Sequence, residues 1–134
     1  MTTIVWFRQD LRIEDNPALQ AAVKRGGAIV PVFIWSPSEE GKWPLGGASK
    51  WWLHHSLESL AGELESIGLH LVIRSGGSQE ILDEIVKTVK ADALYWNRRY
   101  EPDAIARDAR IKAFFKDAGI DTQSFNAHLL YEPW

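Results

Sequence analysis

A chain of 134 residues, 46% apolar and 25% charged, is long enough to bury one real core and too short for two, and its balance excludes a disordered or low-complexity chain. A formal charge of −3 withholds the basic surface that grips nucleic-acid phosphates, so DNA binding by this piece alone is not expected. The absence of cysteine excludes disulfides and thiolate metal sites and fits a reducing cytoplasm, and the longest apolar run, Ala28–Trp35, falls far short of the ~20 residues of a membrane span.

Five β-rich runs alternate with four helical patterns. The first strand signal is Thr3–Arg8. A helix then opens with Asn16 as N-cap and Pro17 at the first helical position, where a missing N–H costs nothing, and closes at Gly26-Gly27. The second strand, Ala28–Trp35, is continuously apolar, as strands are when helices cover both faces of a parallel sheet. Pro31 inside it cannot donate to the ladder and argues against a fully central position.

Leu53, Leu57, Leu60, Leu64 and Ile67 alternate four and three apart, and Gly68 follows as a left-handed terminator; this is the most secure helix. A short strand at His70–Arg74 leads through Ser75-Gly76-Gly77-Ser78 to a helix carrying Ile81, Leu82, Ile85, Val86 and Val89. That glycine turn lacks the spacing of either common phosphate loop and reads as a turn. A strand at Ala93–Trp96 precedes a helix that begins at Pro102 and packs Ile111, Phe114, Phe115 and Ala118 before Gly119; a weaker strand, Thr122–Phe125, ends the pattern. The expected fold is a single α/β domain over residues 1–134, a Rossmann-like doubly wound sheet of five parallel strands in the order 3-2-1-4-5 with helices on both faces.

In such a sheet, ligands collect beyond the carboxyl ends of the strands, which directs attention to four loops. Arg8-Gln9-Asp10-Leu11-Arg12 crowds both signs of charge behind an apolar strand and can either tie the loop down internally or present donors to a ligand. The segment 35–47 is polar and bordered by aromatics, so Glu40 can accept from an amino group and Trp43 can stack, or both can sit in a solvated loop. Asn97-Arg98-Arg99-Tyr100-Glu101-Pro102 places Glu101 at a helix start, where it either caps or binds. His54-His55 lies mid-helix, where adjacent side chains diverge, and supports no metal site.

The pattern Trp-Phe-Arg-x-Asp-Leu-Arg-x-x-Asp-Asn-x-x-Leu from Trp6 to Leu19 resembles the DNA photolyase and cryptochrome family. Gly47-Ala48-Ser49-Lys50-Trp51-Trp52-Leu53 and Ser124–Trp134 resemble it too, the latter closest to plant-type cryptochromes and their bacterial photolyase relatives. The resemblance covers essentially the whole chain. It implies the N-terminal antenna domain, which holds a light-harvesting pigment and passes excitation to FAD in a separate helical domain that also engages damaged DNA. That helical domain is missing here, and the stop at Trp134 looks like a cut edge, so no catalytic residue is assigned and repair by this piece alone is not expected.

The implied pigment is a folate, methenyltetrahydrofolate, in preference to a deazaflavin or FMN. Pigment contacts are expected at Phe7, Arg8, Asp10 and Trp35 and at Glu40, Trp43, Trp51, Asn97 and Glu101. Arg99 stands where deazaflavin-binding members carry an acid, and Ala104 where members holding folate at the domain interface carry one; neither departure touches a folate near the second loop. A free-standing nucleotide-binding module and a structural buttress with a vestigial pocket are the alternatives.

Overall fold

The computed structural model describes residues 1–8, 10–36, 47–100 and 102–126, with residues 47–50 described by backbone alone. In chain order the elements are β1 (Thr2–Phe7), α1 (Pro17–Arg25), β2 (Ala28–Trp35), α2 (Gly47–Ser66), β3 (Val72–Ser75), α3 (Ser78–Val89), β4 (Ala93–Asn97), α4 (Pro102–Asp117) and β5 (Asp121–Phe125). The strands form one sheet in the order β3-β2-β1-β4-β5, and every pairing is parallel. That is the topology expected from the alternating pattern.

Strand alternation sends successive side chains to opposite faces. On one face Ile4, Trp6, Val32, Ile34, Leu94 and Trp96 pack beneath Leu82 and Ile85 of α3 and Ile111 and Phe115 of α4. On the other, Val5, Phe7, Phe33 and Tyr95 meet Ala18, Leu19 and Ala22 of α1 and Leu60 and Leu64 of α2. The chain therefore has two cores separated by the sheet, and the three central strands read as apolar runs because both sides are covered.

Asn16 is extended at φ −113°, and its side chain accepts from the Leu19 N–H, while Gly26 closes α1 at φ 87°. Pro31 pairs with Val5 of β1, but β3 joins β2 only from Val32↔Val72 onward. The proline thus occupies the stretch where β2 is still an edge, which reconciles it with a strand that is interior farther along. Phe114 departs from expectation. The buried stripe of α4 is Ala104, Arg107, Asp108, Ile111 and Phe115, and Phe114, about 100° around the helix, stays 40% exposed. Ile67 lies past the end of α2 and is likewise half exposed.

Candidate functional site

β1 and β4 are neighbours whose following loops run to opposite sides, so their carboxyl ends form the crevice where this topology receives ligands. Here the crevice is crossed by a polar network. Arg8, just past β1, donates through Nη1 to both carboxylate oxygens of Asp108 on α4, each at 2.8 Å, and through Nη2 to the Asn97 carbonyl. Both side chains of the pair are almost fully buried. The Arg8 guanidinium also lies 4.7 Å from the Trp6 ring centre, and Arg107 covers the same ring at 5.4 Å. Burial pushes the Arg8 pKa below its ordinary value, and Asp108 opposes the shift.

Asn97 binds the other side of the crevice. Its Nδ2 donates to Asp10 Oδ2 at 2.6 Å and to Asn16 Oδ1 at 2.8 Å, while its Oδ1 accepts from the Ala18 N–H at 3.0 Å. Asp10 in turn accepts from the Arg8 N–H at 2.9 Å, and Asn16 Nδ2 donates to the Arg12 carbonyl at 2.9 Å. The first-turn N–H groups of α1, the place where many doubly wound proteins seat a phosphate, are therefore taken by two asparagine side chains. At α3, Glu80 folds back over its own helix start: a Cβ added to Gly77 would lie 2.0 Å from Glu80 Oε2. Both helix N-termini carry protein groups in the anion position.

Of the residues expected to contact a ligand, Arg8, Asp10 and Asn97 are drawn into this one network. Phe7 is fully buried beneath α1 and α2. Trp35 is half buried at the end of β2, and the next residue, Ser36, is buried with its Oγ lacking a hydrogen-bond partner among the described residues. Trp51 is 65% exposed on α2, its ring 4.1 Å from that of His55. Glu40, Trp43 and Glu101 lie outside the described residues. Among the described residues, no His, Cys, Asp or Glu group of three or more could hold a metal ion, and His54 instead pairs with Glu58 at 2.6 Å.

Sequence reasoning misses Asp108 and Arg107. The signal was present, because both fall in phase with Ala104, Ile111 and Phe115 on the buried stripe of α4, where a charge requires a partner. The partner, Arg8, is a hundred residues away, and spacing cannot reveal it.

The family model described as DNA photolyase matches residues 3–134. The chain belongs to the DNA photolyase family. A deoxyribodipyrimidine photo-lyase from Agrobacterium fabrum is 48% identical over 97% of the chain, and a cryptochrome-1 from Arabidopsis thaliana is 47% identical over 98%. The chain spans 26% and 19% of those proteins, and it corresponds to the family's N-terminal domain. An archaeal photolyase from Sulfolobus tokodaii, solved with two FAD molecules and taken to imply a novel light-harvesting cofactor, superposes with a TM-score of 0.83. That match has 31% identity and covers 94% of this chain and 29% of the archaeal one. Among the described residues, no helix is long and apolar enough to cross a membrane.

Proposed function

We propose that this domain is the light-harvesting part of a photolyase or cryptochrome, holding an antenna pigment and passing its excitation to FAD in a helical domain of the parent protein. The observation that carries the reading is the family match over residues 3–134, which falls on the α/β domain, the part of this family that carries antenna chromophores. When bound, the pigment supplies near-ultraviolet or blue absorption and transfers energy without bond making. DNA repair or signalling then belongs to the parent, acting on damaged DNA or a partner through the helical domain. We place the protein in the cytoplasm.

The carboxyl edge suits a flat heterocyclic ligand. Trp35 and Trp51 offer aromatic surface, and the buried hydroxyl of Ser36, which has no hydrogen-bond partner among the described residues, is a polar group that a ligand can satisfy. Arg8, Asp10 and Asn97 fix the floor between the loops after β1 and β4, and Phe7 backs it from the core. Glu40, Trp43 and Glu101 complete the proposed contacts. The pigment favoured is methenyltetrahydrofolate over a deazaflavin or FMN, the deazaflavin being less suited because of Arg99.

Purified protein mixed in turn with methenyltetrahydrofolate, a deazaflavin and FMN tests the reading by absorption and fluorescence. The folate is expected to bind with a shifted band and quenched tryptophan emission, weakened by Trp51→Ala. Absence of any spectral change with all three pigments, in this chain and in the same chain joined to a helical FAD domain, refutes it. A nucleotide-binding module is disfavoured because the first-turn N–H groups of α1 are already capped by Asn16 and Asn97.

A further inference from the structure

Arg98 continues the pairing of β4 with β5, its N–H donating to the Phe125 carbonyl at 2.8 Å. Alternation places its side chain on the α4 face, opposite Asn97. There Nε donates to Ser124 Oγ at 3.1 Å, Nη2 to the Ser124 carbonyl at 3.3 Å, and Nη1 to Asn126 Oδ1 at 2.5 Å. From α4, Lys112 Nζ approaches the same Ser124 Oγ at 3.5 Å, and Lys116 follows one turn later on the same side of the helix.

Two cations thus meet at one hydroxyl, and a third, Lys116, stands beside Lys112. None of them makes an ion pair among the described residues, whereas the cations of Arg8, Arg25 and Lys87 are each matched to a carboxylate. The consequence is visible at Lys112, whose ammonium is held below its ordinary pKa by burial and then by the repulsion of Lys116 and Arg98, with no carboxylate opposing the shift. Ser124 Oγ already accepts from Arg98 and Lys112, so its proton is the group left to donate outward.

We infer that the flank between α4 and β5 is a binding site for a phosphate dianion, seated on Arg98, Lys112 and the Ser124 hydroxyl, with Lys116 at its rim. Such an anion supplies the missing counter-charge. A terminal phosphate carries close to two negative charges at neutral pH and a phosphodiester only one, so the triple-cation cluster favours the terminal group. The site is separate from the crevice proposed for the pigment: Arg98 and Asn97 are adjacent in sequence but face opposite sides of the sheet.

The test is a titration of the isotope-labelled chain with inorganic phosphate at low ionic strength, following the Arg98 Nε and Lys112 Nζ signals. Saturable shifts at both are expected, tighter at about pH 8 than at about pH 5 because the second phosphate proton leaves between them. The Lys112 pKa should rise on saturation. Arg98→Gln combined with Lys112→Gln should weaken binding by about tenfold or more with the far-ultraviolet dichroism unchanged, while Lys87→Gln, removed from the site on α3, should not. The absence of saturable shifts, or equal binding by the double variant, overturns the proposal. An oligonucleotide lacking terminal phosphates that binds as tightly as inorganic phosphate also overturns it, and assigns the cations to a diester backbone.

Discussion

Replacing Asp108 by alanine removes the carboxylate that answers a buried arginine. Arg8 and Asp108 are 5% and 12% exposed at their side chains, and the pair is held by two hydrogen bonds of 2.8 Å. With Asp108 gone, Arg8 retains the Asn97 carbonyl and the Trp6 ring, but among the described residues its charge is then answered only by the more distant, part-buried Asp10. Removing one member of such a pair costs about 3–5 kcal/mol. At roughly 3–4 °C per kcal/mol for a domain of this size, the melting temperature should fall by about 10–20 °C. Urea denaturation followed by far-ultraviolet dichroism should show the midpoint moving with an unchanged slope. The decisive comparison is the double variant Arg8→Met with Asp108→Leu, which discards both charges and should recover part of the loss. A loss below about 1 kcal/mol for Asp108→Ala, or a double variant as unstable as the two single losses added, would refute the reasoning.

Asn97→Ala removes the acceptor for the Ala18 N–H and the donor shared by Asp10 and Asn16; the loss should be about 2–3 kcal/mol, with faster hydrogen exchange at Ala18 than at the centre of β4. Gly27→Ala should also destabilise by more than about 1 kcal/mol, measurable in the same urea assay, because Gly27 sits at φ +82° and an added Cβ would fall 2.3 Å from the Met1 carbonyl oxygen. Hydrogen bonds from Arg25 and the Thr2 N–H hold the Asp92 carboxyl below its ordinary pKa, so its contribution is complete above the unfolded value and disappears as pH falls through the folded one. Acid titration of stability should therefore be shallower in Asp92→Asn. Burial, reinforced by Asp121, raises the Tyr95 pKa, so stability should fall as pH climbs above about 10, and Tyr95→Phe should flatten that limb.

Much of the architecture is local information. Asn16-Pro17 and Gly26 fix the ends of α1 because capping needs only neighbouring atoms, and the continuously apolar β2 announces that helices cover both faces. The leucine spacing of α2 likewise identifies its buried side, although Ile67, one residue beyond the helix, escapes into solvent. Helix phase also separates Phe115 from Phe114, a distinction that their adjacent positions and shared chemistry conceal.

The sequence by itself established the parallel α/β order and the family resemblance in Trp6-Phe7-Arg8, and it offered two readings of the charged loop that follows. Only the tertiary structure chose between its contacts: Arg8 turns inward to Asp108, Asp10 is held by Asn97, and the two asparagines occupy the start of α1. It also brought Arg98 and Lys112 onto one serine from separate elements. The physical reason is the same in each case. Caps, turns and hydrophobic phase are decided over a few residues, whereas the partner of a buried or crowded charge is decided by which strands lie side by side once the sheet has closed.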